Sequence, residues 1–201
     1  MSKLYFRHAA MNAGKSTYLL QVAHNYESHG KLVVLVTAAL DNRTAQGVIS
    51  SRLGISRPAR VFEADTSFEV LLSDVAPDCV LVDEAQFLTA TQVRELHRYA
   101  HATGVPVICF GLRSDFRGEP FEGAAWLLAL ADDLEEIKTI CACSRKASMN
   151  VRIDAQGRRV REGAQVLIGA EEAYRSVCPR CFYEVGPSVA VRKTNSLTTI
   201  D

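Results

Sequence analysis

Neither sign of charge prevails in this 201-residue chain, where 23 Lys and Arg stand against 23 Asp and Glu. With no net charge there is no long-range pull toward DNA, RNA or an anionic membrane, although local basic patches are not excluded. Also missing is any run of roughly 18 uninterrupted apolar residues, the length a membrane-crossing helix needs. The N-terminal MSKLYFRHAAMNAGKS does not have the pattern of a secretory leader. There is no internal repeat, and after Pro187 the tail VRKTNSLTTID has no periodicity. These absences lead us to expect a cytoplasmic protein without a nucleic-acid or membrane partner, ending in a flexible tail.

What is present is enough apolar sequence, 48% of the chain, for one core or one core with a small appendage. KLYFR (3–7) reads as a strand, and Thr17 to Ser28 as a helix with Leu19, Leu20 and Ala23 at helical spacing, stopped by Gly30. LVVLVT (32–37), CVLVD (79–83) and VPVICF (105–110) are near-continuous apolar runs, the pattern of strands covered on both faces. The helical TATQVRELHRYAHATG, capped by Thr89 or Thr91, separates the last two, and FEGAAWLLALAD precedes a final strand in LEEIKTI. Alternation of this kind predicts a largely parallel sheet covered by helices, with binding groups at the carboxyl ends of its strands. Beyond Ile140 the apolar density falls through MNVRID, the turn AQGR and RVREGAQVLIG, a section that would struggle to fold without a staple.

Residues 9–16, AAMNAGKS, have phosphate-loop spacing between a strand and a helix, with Ala9 where the motif has glycine. Wrapping a polyphosphate takes backbone N–H groups, a lysine for the β and γ oxygens, and a hydroxyl for magnesium, supplied here by the loop, Lys15 and Ser16. Alanine is acceptable at position 9 only with negative φ and its methyl turned away from the phosphates. The same stretch is also readable as a capped helix start with Lys15 solvated. CVLVDEAQ supplies the second half of such a site: Asp83 ends an apolar strand where it can hold magnesium directly or through water, and Glu84 is the nearest proton acceptor. Successive strand residues diverge, so Glu84 is expected to point away from Asp83. Its partner could be water or a primary hydroxyl, leaving ATPase and kinase both open.

Of six cysteines, Cys79 and Cys109 sit inside apolar runs, whereas Cys141, Cys143, Cys178 and Cys181 form C-x-C and C-x-x-C. Four thiolates suit a closed tetrahedral zinc site better than two disulfides in a reducing compartment; four free buried cysteines are the alternative.

Taken together, AMNAGKST, VLVDEAQFL, GLRSDFRGEPF, KTICAC with RKASM, and VLIGAEEAYRSVCPRC resemble the small tetrameric thymidine kinases of bacteria and animal cytosol, over about residues 3–183. The resemblance implies a P-loop, RecA-like, mostly parallel α/β sheet in residues 1–138. It further implies a zinc-ribbon-like β domain carrying a lasso loop in 139–186, and a flexible tail in 187–201. It also implies transfer of the ATP γ-phosphoryl group to the 5′-hydroxyl of thymidine or deoxyuridine, with Glu84 as base aided by Lys15 and Asp83. ATP would meet Ala9, Ala10, Met11, Asn12, Ala13, Gly14, Lys15, Ser16, Thr17, Asp41, Arg43, Asp83, Glu84, Ala85 and Gln86, with Mg²⁺ at Ser16 and Asp83. Met11, Phe87, Leu112, Phe116 and Tyr174 would wall the nucleoside, and the main chain of Gln165, Val166, Leu167, Ile168 and Gly169 would read its base edge. Phe116 lies in a polar turn between Asp115 and Arg117, which favours ligand contact over burial; Phe87 is readable as pocket or core, and Phe121 and Trp126 as core. Zinc on the four cysteines would clamp the roots of a loop near residues 155–175 that drapes over the nucleoside. A homotetramer and feedback inhibition by deoxythymidine triphosphate are further expectations of the resemblance. A nucleic-acid-stimulated ATPase and a non-catalytic nucleotide-binding protein are the competing functions.

Overall fold

The structure is a computed structural model that describes residues 3–40, 47–166 and 173–185. Asp41 and Arg43, the expected base readers Leu167, Ile168 and Gly169, and the tail 187–201 lie outside the described residues.

The first unit runs β1 (Leu4–His8), α1 (Lys15–Glu27), β2 (Val33–Ala38), β3 (Val48–Ser50), β4 (Ser56–Pro58), β5 (Arg60–Phe62) and α2 (Phe68–Leu71). It continues through β6 (Cys79–Val82), α3 (Ala90–Thr103), β7 (Val107–Gly111), α4 (Glu122–Leu130) and β8 (Asp133–Glu136). Six of these strands form one sheet in the order β5-β2-β6-β7-β1-β8, every neighbouring pair parallel. The unbroken apolar runs follow from coverage on both faces. Val80 and Val82 of β6 face α3 and α4 together with Val36, Val107, Cys109, Leu96 and Leu127, whereas Cys79 and Leu81 face α1 with Leu35, Ile108, Phe110, Leu19 and Ala23.

Local chemistry sets the helix ends. Thr89 caps α3 through a reciprocal box with Gln92, whose side-chain NH₂ also donates to the carbonyls of Glu63 and Thr66. Helix α1 starts two residues before the expected Thr17, at Lys15, because left-handed Gly14 (φ 84°) turns the chain into the helix; neither Ser16 nor Thr17 acts as its cap. LEEIKTI divides. Its first part is β8, which stops where its partner β1 stops, Ile137 N–H closing on the His8 carbonyl; Thr139–Ile140 then pairs with Lys146–Ala147 in the second unit.

Glycine is required at position 123, where α4 rests on the turn after β6. A β-carbon there would lie 2.5 Å from the Ala85 carbonyl oxygen and 2.7 Å from that of Leu88. Both neighbours are backbone, so Gly123→Ala is expected to lower stability by about 1–3 kcal/mol. A chemical denaturation curve checks this, and an unchanged midpoint would show that α4 is not seated on that turn.

The second unit contains β9 (Thr139–Ile140), β10 (Lys146–Ala147), β11 (Met149–Ile153), β12 (Arg159–Val160), β13 (Tyr174–Val177) and α5 (Pro179–Phe182). Strands β12-β11-β13 form an antiparallel sheet and β9-β10 a ribbon. The expected AQGR turn is held by Asp154, whose carboxylate accepts from the backbone N–H groups of Gln156 and Arg158. This unit's interior is short of large apolar side chains, and one of its buried clusters is built on cysteines.

Candidate active site

Because the six strands are parallel, the loops after β1, β6 and β7 open at one edge of the sheet. The loop after β1 bends through two left-handed residues, Asn12 (φ 60°) and Gly14 (φ 84°). Ala9 is not among the positive-φ residues, and its N–H donates to the Gly111 carbonyl at the end of β7, so it meets the condition on φ that sequence set. Lys15 is buried, its ammonium 3.4 Å from the Ala10 carbonyl. At the end of β1, burial and the nearby Arg113 guanidinium hold the His8 imidazole below its ordinary range, so it adds no charge to the loop near neutral pH.

The two halves of the expected phosphate site meet. The Ser16 hydroxyl donates to Asp83 Oδ2 at 2.8 Å across 67 residues of sequence, and Asp83 Oδ1 accepts the Glu84 N–H at 3.0 Å. Glu84 is not a strand residue: β6 ends at Val82, and Glu84 takes a left-handed conformation (φ 52°, ψ 37°). Its direction is therefore set by that turn and not by pleat alternation. A side chain in this conformation costs roughly 1–2 kcal/mol, a strain usually retained where it serves a site. Gln86 fixes the result, its amide N–H donating to the Glu84 carboxylate while its Oε1 accepts the Leu112 N–H at 3.0 Å.

These groups border a cavity of about 880 Å³. Met11 to Thr17 line it, with Glu84 and Gln86; Ala9, Ala10, Asp83 and Ala85 are buried behind that wall. Phe87, Leu112, Phe116, Gln165, Val166 and Tyr174 are all brought to the same cavity. Phe116 is nonetheless 1% exposed, with the Arg152 guanidinium 3.8 Å from its ring centroid and Tyr174 edge-on to it. The polar turn that argued against burial satisfies itself, since the Asp115 carboxylate accepts from the N–H groups of Arg117 and Glu119 and from the Arg117 guanidinium. Phe121 belongs to the core, as expected, and also lines the cavity, edge-on to Phe87.

Sequence reasoning missed several contributors. The β3–β4 hairpin brings Ser51, Arg52 and Leu53 to the cavity, and its one signal was the tight turn at Gly54. Asn150 of β11 accepts the Met11 N–H at 2.8 Å and donates to the Ser114 carbonyl, docking the second unit onto both the loop after β1 and the loop after β7. Ser176 of β13 adds a hydrogen bond to the Met11 carbonyl.

The four expected cysteines converge, with all four Sγ atoms within 4.8 Å of one another and Cys143 and Cys178 at 3.5 Å. A tetrahedral zinc–thiolate shell needs sulfur separations of about 3.8 Å, so the donor set fits with small adjustments. The Arg145 backbone N–H, aided by neighbouring thiols, holds Cys143 down at about 6, whereas burial and the same neighbours push Cys181 up to about 12. One thiolate forms readily and four together need a cation. Cys79 and Cys109 behave as apolar filling: burial pushes the first thiol up to about 12 and raises the second as well. No helix among the described residues is long and apolar enough to cross a membrane.

A family model described as thymidine kinase matches residues 2–182. A thymidine kinase of Chromobacterium violaceum is 60% identical over 184 residues, covering 91% of this chain and 99% of that protein. One from Albidiferax ferrireducens is 57% identical over 183 residues, covering 91% and 93%. One from Salmonella typhimurium is 52% identical over 182 residues, covering 89% of each.

Proposed function

Since the chain belongs to the thymidine kinase family, we propose that it transfers the γ-phosphoryl group of ATP to the 5′-hydroxyl of thymidine, and of deoxyuridine, in deoxynucleotide salvage. The observation that carries this reading is the 2.8 Å bond from Ser16 to Asp83 beside Glu84, at a cavity whose remaining wall is aromatic and aliphatic. The strand order supports a RecA-like P-loop unit: β7 lies between β1, which leads into the loop, and β6, which leads into the carboxylates.

In the reaction the loop N–H groups of Met11 to Gly14 cradle the phosphates and Lys15 neutralises the β and γ oxygens. Ser16 and Asp83 are the residues that would hold Mg²⁺, which would supply positive charge against the phosphates. The nucleoside O5′ bonds to the γ-phosphorus as the bond to the bridging oxygen of ADP breaks, and Glu84 takes the hydroxyl proton. Gln86 orients the Glu84 carboxylate for that transfer. Ala9, Ala10 and Ala85 shape the ATP side from behind, and Asp41 and Arg43 border the phosphates.

The nucleoside occupies the wall of Met11, Phe87, Leu112, Phe116 and Tyr174, its base edge read by the main chain from Gln165 to Gly169. Residues 1–138 serve ATP and 139–186 serve zinc and the nucleoside lid, with 187–201 a tail. Arg152 supports a tied-down lid root, donating to the carbonyls of Glu162 and Ala164 while covering Phe116. Zinc on Cys141, Cys143, Cys178 and Cys181, a homotetramer and feedback by deoxythymidine triphosphate complete the reading, the last two on family resemblance. Phe116→Ala should raise the thymidine KM on the order of tenfold, the worth of one aromatic contact with a base, and leave the ATP KM little changed. Steady-state kinetics on folded variant decide; an unaltered thymidine KM removes Phe116 from the pocket.

A further inference from the structure

On the flank of α3 beside the α4–β8 link, three potential metal ligands meet outside both sites described above. His97 and His101 stand four residues apart and so share one face of the helix, their rings edge-to-face with centroids 4.7 Å apart. Asp132, in the link between α4 and β8, presents its carboxylate to both. His101 Nε2 lies 3.1 and 3.2 Å from the two carboxylate oxygens, and His97 Nε2 lies 3.9 Å from Oδ1. One ligand atom from each residue falls within 4.8 Å of the others, and His101 and Asp132 are open to solvent.

An imidazole–carboxylate hydrogen bond explains His101 but not His97, whose nitrogen is beyond hydrogen-bond reach of the same carboxylate. A tetrahedral ion with nitrogen and oxygen ligands at about 2.0–2.1 Å needs ligand separations of about 3.3 Å, which small side-chain rotations supply here. The carboxylate is already oriented, because its Oδ2 accepts the Leu4 N–H at 2.8 Å; metal ligands are commonly held in this way by a second partner. Of the two arginines bordering the hollow, Arg94 is drawn off, its guanidinium lying 4.0 Å over the Trp126 ring, while Arg98 opposes a cation and tempers its affinity.

We infer that His97, His101 and Asp132 form a second metal site, taking one divalent transition ion of the zinc or nickel class with water completing its shell. Two imidazoles select such ions over magnesium or calcium, which prefer all-oxygen shells. The ion would tie the last turns of α3 to the α4–β8 link and, through Leu4, to β1, the strand that leads into the phosphate loop.

The test uses the untagged full-length protein with its cysteine cluster saturated with zinc and excess metal removed, titrated calorimetrically with Ni²⁺. About one Ni²⁺ per chain should bind, at least tenfold more weakly in His97→Gln, His101→Gln or Asp132→Asn, and not measurably in the double histidine variant. Ni²⁺ should also raise the Tm of the wild type and not of the double variant. Retained thymidine phosphorylation shows that the double variant is folded, since neither histidine is at the reaction site. Equal Ni²⁺ binding by wild type and double variant, or none by the wild type, overturns the inference.

Discussion

Glu84→Gln is expected to lower thymidine phosphorylation by about 10²-fold or more, the scale of a lost general base, while ATP still binds. Glutamine keeps the size of the side chain and an oxygen for the Gln86 amide, and it sits no worse than glutamate in the left-handed turn at φ 52°. It cannot take a proton. Asp83, Ser16 and Lys15 are untouched, so the end of the cavity proposed for ATP stays built. Turnover and ATP affinity measured on the same preparation separate the roles: near-normal turnover removes Glu84 as base, and a matched loss of ATP binding makes it a binding group instead.

Under the proposed zinc site, removing metal from the four cysteines, or replacing one by serine, should be as damaging by a different route. With four thiols inside 4.8 Å and few large apolar side chains in that unit, the donors carry folding free energy that packing does not replace. The unit also delivers Asn150 and Ser176 to Met11, and Arg152 and Tyr174 to Phe116. Cys178→Ser is therefore expected to raise the thymidine KM more than tenfold, to lower the Tm, and to reduce bound zinc well below about one per chain. ATP affinity should fall less, because the loop's own turn and the Ser16–Asp83 bond belong to the first unit. A zinc-free protein with an unchanged thymidine KM would separate the metal from nucleoside capture.

The parts of this fold that were legible in the sequence are those where one physical requirement dominates. Strands β2, β6 and β7 show as apolar runs because both faces are covered, and the bend from Ala9 to Ser16 shows because a glycine, a lysine and a hydroxyl stand between a strand and a helix. The cysteine quartet shows because its members flank a stretch too polar to fold alone. Legibility failed where tertiary contacts decide. Each strand of the β3–β4 hairpin has only three residues, too few for a periodic signal, yet it reaches the cavity. Nothing local marks Glu84 as left-handed, a conformation stabilised by Gln86 and the end of β7. Phe116 looked exposed by its neighbours; Asp115 satisfies the turn and Arg152, 36 positions away, covers the ring. Asn150 is one polar residue in a strand, and its role follows from what it meets across the two units.

Incubation of the wild-type enzyme with thymidine and ATP labelled at the γ-phosphate tests most directly whether the loop and the two carboxylates act together on one phosphate with a sugar hydroxyl in reach of Glu84. Label should leave ATP only when thymidine is present and be recovered in thymidine 5′-monophosphate. Label recovered only as free phosphate, with or without nucleoside, would contradict it.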